Sequence, residues 1–315
     1  MSKSDPTPTP IEHRRDEDVH SECDEAPEAQ TDLTSPAVAA SDGGDGTPFS
    51  AEDLVVGYPT SEEPVVDGES LVAPPGKVTA LVGPNGSGKS TLLKAMASQL
   101  AADAGSVLLD GDEVESMDSK DLARRLGLLS QENVAPESIT VEKLVSHGRY
   151  PHRGFFDGLT DEDRAAIDRA IDLAGVDHIR DRDVGSLSGG QKQLVWIAMV
   201  LAQETDVLLL DEPTTFLDMH HQLEVMEIVE RLRDESEKTV VVVLHDLQQA
   251  ARLADHVVAL KDGAVHGRGQ PEEVITEEML ADVFGIEATV TQTDLGPQIT
   301  PLRPLHDDAG ADVHL

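Results

Sequence analysis

The sequence predicts an α/β fold: a mainly parallel sheet whose strands are joined by crossover helices. Three observations predict it. Short apolar runs without alternation, such as Val207–Leu210 and Thr239–Leu244, read as buried strands. From about Phe49 such strands alternate with helix-length segments that begin at recognisable caps. A glycine-rich loop joins one strand directly to a helix, the βα turn typical of phosphate-binding sheets.

Taken in order, Lys77–Val82 is a strand, and a helix over Lys89–Leu100 follows the glycine-rich loop. Ser106–Leu109 is a further strand, stopped by the Asp110-Gly111 turn, and Asp118 caps a short helix over Ser119–Arg125. Thr140 caps a helix reaching about Ser146. Thr160-Asp161-Glu162-Asp163 forms a capping box for a helix closed by Gly175, with Ile167, Ala170, Ile171 and Ala174 along one face. This middle region is a helical insert. Alternation then resumes with strand Val207–Leu210, helix Met219–Arg233, strand Thr239–Leu244, helix Leu247–Ala254 and strand Val257–Leu260. An Asp262-Gly263 turn opens a hairpin, Thr276 caps a last helix ended by Gly285, and a loop-rich tail with weak strand signals follows. The pattern is not repeated, so one catalytic unit is expected per chain.

Composition narrows the function. In 315 residues, 24 Lys and Arg face 61 Asp and Glu, a net charge of −37, whose field repels anions and excludes nonspecific nucleic-acid binding. The single Cys23 can neither close an intramolecular disulfide nor form a cysteine zinc cluster. No apolar run approaches the ~20 residues that span a bilayer, and Met1-Ser2-Lys3-Ser4-Asp5-Pro6 does not open a secretory signal. The cell interior is the expected compartment, and any membrane span belongs to another chain. Residues 1–50 hold 12 acidic and 3 basic side chains with repeated Pro, Ser and Thr, so 1–47 reads as a disordered acidic tail. The acidity continues through the remainder, and only nine lysines are present, a balance resembling proteins of salt-loving organisms. Those charges read as a solvated surface rather than an acidic binding site.

Gly83-Pro84-Asn85-Gly86-Ser87-Gly88-Lys89-Ser90-Thr91 matches G-x-x-x-x-G-K-[ST] between a strand and a helix. In that setting backbone N–H groups and the helix start converge on phosphate, Lys89 reaches the β- and γ-phosphates, and Ser90 can ligate Mg²⁺. The complementary carboxylates end the apolar run Val207–Leu210: Asp211 is placed to meet the metal and Glu212 to orient or deprotonate an attacking water.

Around these stand Leu187-Ser188-Gly189-Gly190-Gln191 upstream, then Thr214-Thr215-Phe216-Leu217-Asp218 and His245 downstream. Their order resembles the ATP-binding cassette (ABC) family over roughly Phe49 to Arg268. The resemblance implies a P-loop NTPase cassette, with a RecA-like core, an antiparallel β subdomain and a helical subdomain at about 132–200. The cassette would cover 48–270, with a C-terminal extension at 271–315. It further implies that ATP and Mg²⁺ are bound, and that Tyr58 stacks on adenine. Gln131 would touch metal and water, joining Ser90 and Asp211 as the metal's residues. Ser188, Gly189 and Gly190, with Gln191 closing the signature, would contact the γ-phosphate of ATP held by a second cassette. His245 resembles the switch histidine, and Asp218 lies in the loop that links the two sites. One departure from the commoner pattern is Gln191-Lys192-Gln193-Leu194, where a more basic run ending in Arg is usual.

Ser138–Val145 and His147-Gly148-Arg149-Tyr150-Pro151-His152 resemble the insert of importers for iron-siderophore, haem and cobalamin. This implies an ATPase subunit at the cytoplasmic face of the membrane, working as a homodimer with a transmembrane permease and an extracellular substrate-binding protein. The alternatives are a cobalamin or haem importer, and a nucleotide-gated regulatory module without transport. His220 and His221 are neighbours on a helix, point different ways, and read as helix-start residues rather than metal ligands. The cargo itself should never touch this chain.

Overall fold

A computed structural model describes residues 48–305 apart from 60, 62, 155 and 156; the acidic segment expected to be a disordered tail lies outside the described residues. Three apolar strands that the sequence predicts, β3 (Val78–Val82), β7 (Val207–Asp211) and β8 (Thr239–Val243), are fully buried along their length. With β6 (Leu126–Leu129), β9 (His256–Lys261) and β10 (Ala264–Gly269) they form a six-stranded sheet in the order β10-β9-β3-β8-β7-β6, parallel throughout except for the β9–β10 hairpin. Successive side chains leave opposite faces. Val240 and Val242 accordingly join one core and Val241 and Val243 the other, which is why these strands carry no polar alternation.

One face is covered by α1 (Lys89–Met96) and by an antiparallel sheet in the order β2-β1-β4-β5, made of β1 (Phe49–Val56), β2 (Val66–Ala73), β4 (Ala104–Leu109) and β5 (Asp112–Glu113). Helix α1 is shorter than the sequence predicts. It ends at Met96 because Ser98 turns into the left-handed region at φ 55°, while Gln99 N–H folds back onto Lys94 C=O.

Helix α2 (Ser119–Arg125) starts at its predicted cap, Asp118, which accepts from Lys120 N–H. The insert holds α3 (Val141–Val145), α4 (Asp161–Leu173) and α5 (Gly189–Leu201), and its apolar residues join the core on the second face of the six-stranded sheet. The Thr160–Asp163 capping box forms as predicted, and Ile167, Ala170, Ile171 and Ala174 are all buried. Helices α6 (Met219–Ser236) and α7 (Leu247–Leu253) contribute to the same core. Helix α6 runs one turn past its expected end and stops where Glu237 adopts φ 51°.

The tail that gave only weak strand signals is ordered by packing. After α8 (Pro271–Val274) and α9 (Glu277–Phe284), β11 (Ile286–Thr293) and β12 (Gly296–Pro304) form a hairpin. The Gln248 side chain of α7 holds it, donating to Pro297 C=O and accepting from Ile299 N–H.

The insert is pinned by one buried cation. Arg149 is 3% exposed and donates to Asp163 at 2.9 Å, to Glu204 at 3.0 Å and to Ala202 C=O at 2.8 Å, joining the Gly-Arg-Tyr-Pro stretch to α4 and to the end of α5. Burial works to raise the Asp163 pKa, but hydrogen bonds from Thr160 and Arg149 and the guanidinium charge outweigh it and hold the carboxyl at about 2. Arg149→Met is expected to cost about 3 kcal/mol, because it leaves a buried carboxylate without its counter-ion. A denaturant titration checks this. The depressed pKa means that Asp163 contributes stability above its unfolded value of 3.8, and that the contribution fades as pH falls towards 2. The gap between variant and parent should therefore close through that window.

Candidate functional site

Four adjacent parallel strands end on the same side of the sheet, and each delivers predicted residues there. The Gly83–Thr91 loop leaves β3, His245 follows β8, Asp211 and Glu212 end β7, and Gln131 follows β6. Ligands of open α/β sheets bind at such carboxyl ends.

The loop is shaped by backbone that few residues other than glycine can adopt. Gly83 has φ 151°, and a Cβ there would lie 2.2 Å from Leu260 C=O, so the chain passes directly against β9. Gly88 caps α1 without a side-chain hydrogen bond, leaving the first N–H groups of the helix to a ligand. Lys89 is 4% exposed, with its ammonium 3.0 Å from Gly83 C=O and 2.9 Å from Pro84 C=O. Burial lowers its pKa, against which Glu212 and Asp211 act to raise it. Tyr58 is 41% exposed, with its hydroxyl 3.3 Å from Thr91 Oγ1, so its ring stands at the edge of the loop's helix.

The site suits a divalent cation on its own chemistry. Ser90 donates to Asp211 Oδ1 at 2.7 Å, whereas the buried Asp211 Oδ2 and Ser87 Oγ have no hydrogen-bond partner. Burial raises the Asp211 pKa, against which the Ser90 hydrogen bond and the charges of Lys94 and Lys89 act to lower it. Among the described residues no cluster of three or more His, Cys, Asp or Glu could hold a metal alone. One carboxylate and one hydroxyl match Mg²⁺, which is usually shared with substrate phosphates and water.

Glu212 is the most heavily engaged group. Its side chain is 8% exposed, its Oε1 lies 2.5 Å from His245 Nε2, and its Oε2 accepts from Gln131 Nε2 at 2.7 Å and from Thr215 Oγ1 at 3.1 Å. Thr215 is not among the residues the sequence singles out for the site; its signal there is a hydroxyl residue three positions after a carboxylate, where a turn brings the two together. The Glu212 backbone itself is left-handed, at φ 52°.

The remaining predicted residues form a second group. Ser188 caps α5 by accepting from Gln191 N–H, while the Gln191 side chain accepts from Ser188 N–H, so both side chains serve a capping box. Gly189 is open to its surroundings, and Gly190 lies against the His221 ring, which a Cβ would meet at 2.3 Å. Asp218 caps α6 and accepts from His221 Nδ1 at 2.9 Å. His220 and His221 are thus helix-start residues, and the second of them ties α6 to the start of α5. Between the groups, Phe216 is 98% exposed at φ 62°.

A family model described as ABC transporter matches residues 66–215. The ferric enterobactin transport ATP-binding protein FepC of Escherichia coli is 42% identical over 253 residues, covering 80% of this chain and 93% of that protein. The iron(3+)-hydroxamate import ATP-binding protein FhuC of Bacillus subtilis is 45% identical over 242 residues, covering 77% of this chain and 89% of its own. Among solved structures, the dimeric structure of MJ0796, a bacterial ABC transporter cassette, matches with a TM-score of 0.63 and 27% identity over 70% of this chain and 98% of that one.

Proposed function

Because the chain belongs to the ABC transporter family, we propose that it is the ATP-hydrolysing subunit of an importer for iron(III)-siderophores or related metal chelates. The observation that carries this reading is the convergence of Lys89, Asp211, Glu212, His245 and Gln131 at the carboxyl ends of four neighbouring strands. Identity above 40% to two iron-chelate import subunits supplies the cargo class.

ATP lies on the Gly83–Thr91 loop with its adenine on Tyr58, and Lys89 neutralises charge on the transferring phosphoryl group. Glu212 accepts a proton from the attacking water, His245 reaches the same phosphate, and Gln131 positions the water. Ser90, Asp211 and Gln131 would hold Mg²⁺, which supplies electrostatic stabilisation of the phosphate oxygens when bound. Ser188, Gly189, Gly190 and Gln191 act on nucleotide held by a second copy, and Asp218 lies in the loop between the two sites. The dimeric cassette of similar fold supports this pairing.

No helix among the described residues is long and apolar enough to cross a membrane. By its likeness to import ATP-binding subunits we assign the chain a peripheral place at the cytoplasmic face, docked on a separate permease that receives chelate from an extracellular binding protein. Closure of the two copies around ATP would drive alternating access in that permease. The test is reconstitution with its permease and binding protein in proteoliposomes. Chelated iron should enter only with ATP inside, and permease should stimulate hydrolysis. Uptake of cobalamin or haem instead would reassign the cargo. Hydrolysis that no permease stimulates would favour the regulatory module.

A further inference from the structure

The segment 213–217 joins the base Glu212 to Asp218, and three glutamine side chains from three helices hold it. Gln193 of α5 donates to Pro213 C=O at 3.0 Å. Gln222 of α6 donates to Leu217 C=O at 3.1 Å and to Thr214 C=O at 3.4 Å. Gln249 of α7 accepts from Thr214 Oγ1 at 2.9 Å and donates to Gln222 Oε1 at 3.0 Å. The last two form a closed ring from the Thr214 hydroxyl, through Gln249 and Gln222, to the Thr214 carbonyl.

The direction of the ring is fixed. Both carbonyls facing Gln222 require its NH₂ group, which turns its oxygen towards Gln249 and makes the Thr214 hydroxyl the donor. Thr214 is 7% exposed and Gln249 8%, so a broken member leaves a polar group buried without a partner. The loop needs restraint of this kind, since Glu212 and Phe216 both occupy left-handed backbone at φ 52° and 62°.

Each glutamine also belongs to a helix that begins at another part of the site. Helix α5 starts at the Ser188 cap, α6 at the Asp218 cap, and α7 at Asp246, next to His245. We propose that Gln193, Gln222 and Gln249 clamp segment 213–217 as positioning residues, aligning Glu212 and conveying movement of the signature helix and the His245 helix to the loop between two ATP sites. This rests on the ATPase reading above and extends it to the coupling of the sites.

The test compares Gln249→Leu, the paired Thr214→Val/Gln249→Leu, and Gln193→Leu with the parent chain. Steady-state kcat, KM for ATP, the Hill coefficient and thermal unfolding are measured for each. Gln249→Leu and Gln193→Leu should lower kcat about tenfold, the scale seen when groups supporting a catalytic ligand are lost, with KM changed less than about twofold. The Hill coefficient should fall towards one. The paired variant removes both ends of the buried bond, so it should recover the unfolding temperature without recovering kcat. A kcat that tracks only the folded fraction, or cooperativity unchanged in Gln193→Leu, would overturn the clamp while leaving the ATPase reading intact. A parent chain that hydrolyses no ATP with or without permease would overturn both.

Discussion

Glu212→Gln should retain ATP and lose turnover by about 10²–10⁴-fold, the range a positioned general base contributes. The exchange is nearly isosteric, so the surroundings of the side chain are kept, but an amide cannot take a proton from water. Binding is spared for a separate reason. The hydrogen-bond partners of Glu212 are Gln131, Thr215 and His245, all outside the Gly83–Thr91 cradle. Its charge nevertheless acts on Lys89, so removing it takes an anion away from the place where phosphate must sit. Affinity should hold or rise, and the ATP-loaded dimer should accumulate. Phosphate release and gel filtration with ATP check both halves. The net charge of −37 makes two copies repel at low ionic strength, so the measurement belongs near 1 M salt, where screening extends only ~3 Å. Undiminished turnover would remove Glu212 from the role of base.

The groups at the strand ends were legible in the sequence because each depends on local chemistry. A glycine-rich loop between strand and helix, and two carboxylates closing a run of Val and Leu, have few other uses. The Asp118, Thr140, Thr160 and Thr276 caps all form, since capping needs only a short polar side chain and the next turn of backbone. Strand β6 was not predicted. It has four residues, includes a glycine, and is held by its neighbour β7 rather than by any pattern of its own. The β11–β12 hairpin was equally obscure, because its anchor is the Gln248 side chain, distant in sequence. The glutamine ring is the clearest case: Thr214, Gln222 and Gln249 are unremarkable singly, and only tertiary packing joins them.

Mixing two inactive chains should restore ATP turnover. Lys89→Ala removes the buried ammonium from the phosphate loop and should abolish turnover at its own cradle. Gly189→Asp acts from the other side. A Cβ at Gly189 has nothing within 4 Å, and an acidic residue in the first turn of α5 suits the helix dipole, so the folded chain should tolerate it. What it should not tolerate is a partner's γ-phosphate, which would meet a like charge. If each ATP is held by the loop of one copy and the signature of the other, a heterodimer pairs the two damaged halves in one pocket and the two intact halves in the second. Random pairing in an equal mixture makes about half the dimers mixed, each with one sound pocket, so about a quarter of all pockets should be restored. Either variant alone has none. Differently tagged chains allow the heterodimer to be isolated and its turnover compared with both parents. Were each copy to build its whole pocket by itself, every chain in the mixture would carry a defect, and the heterodimer would be as inactive as its components.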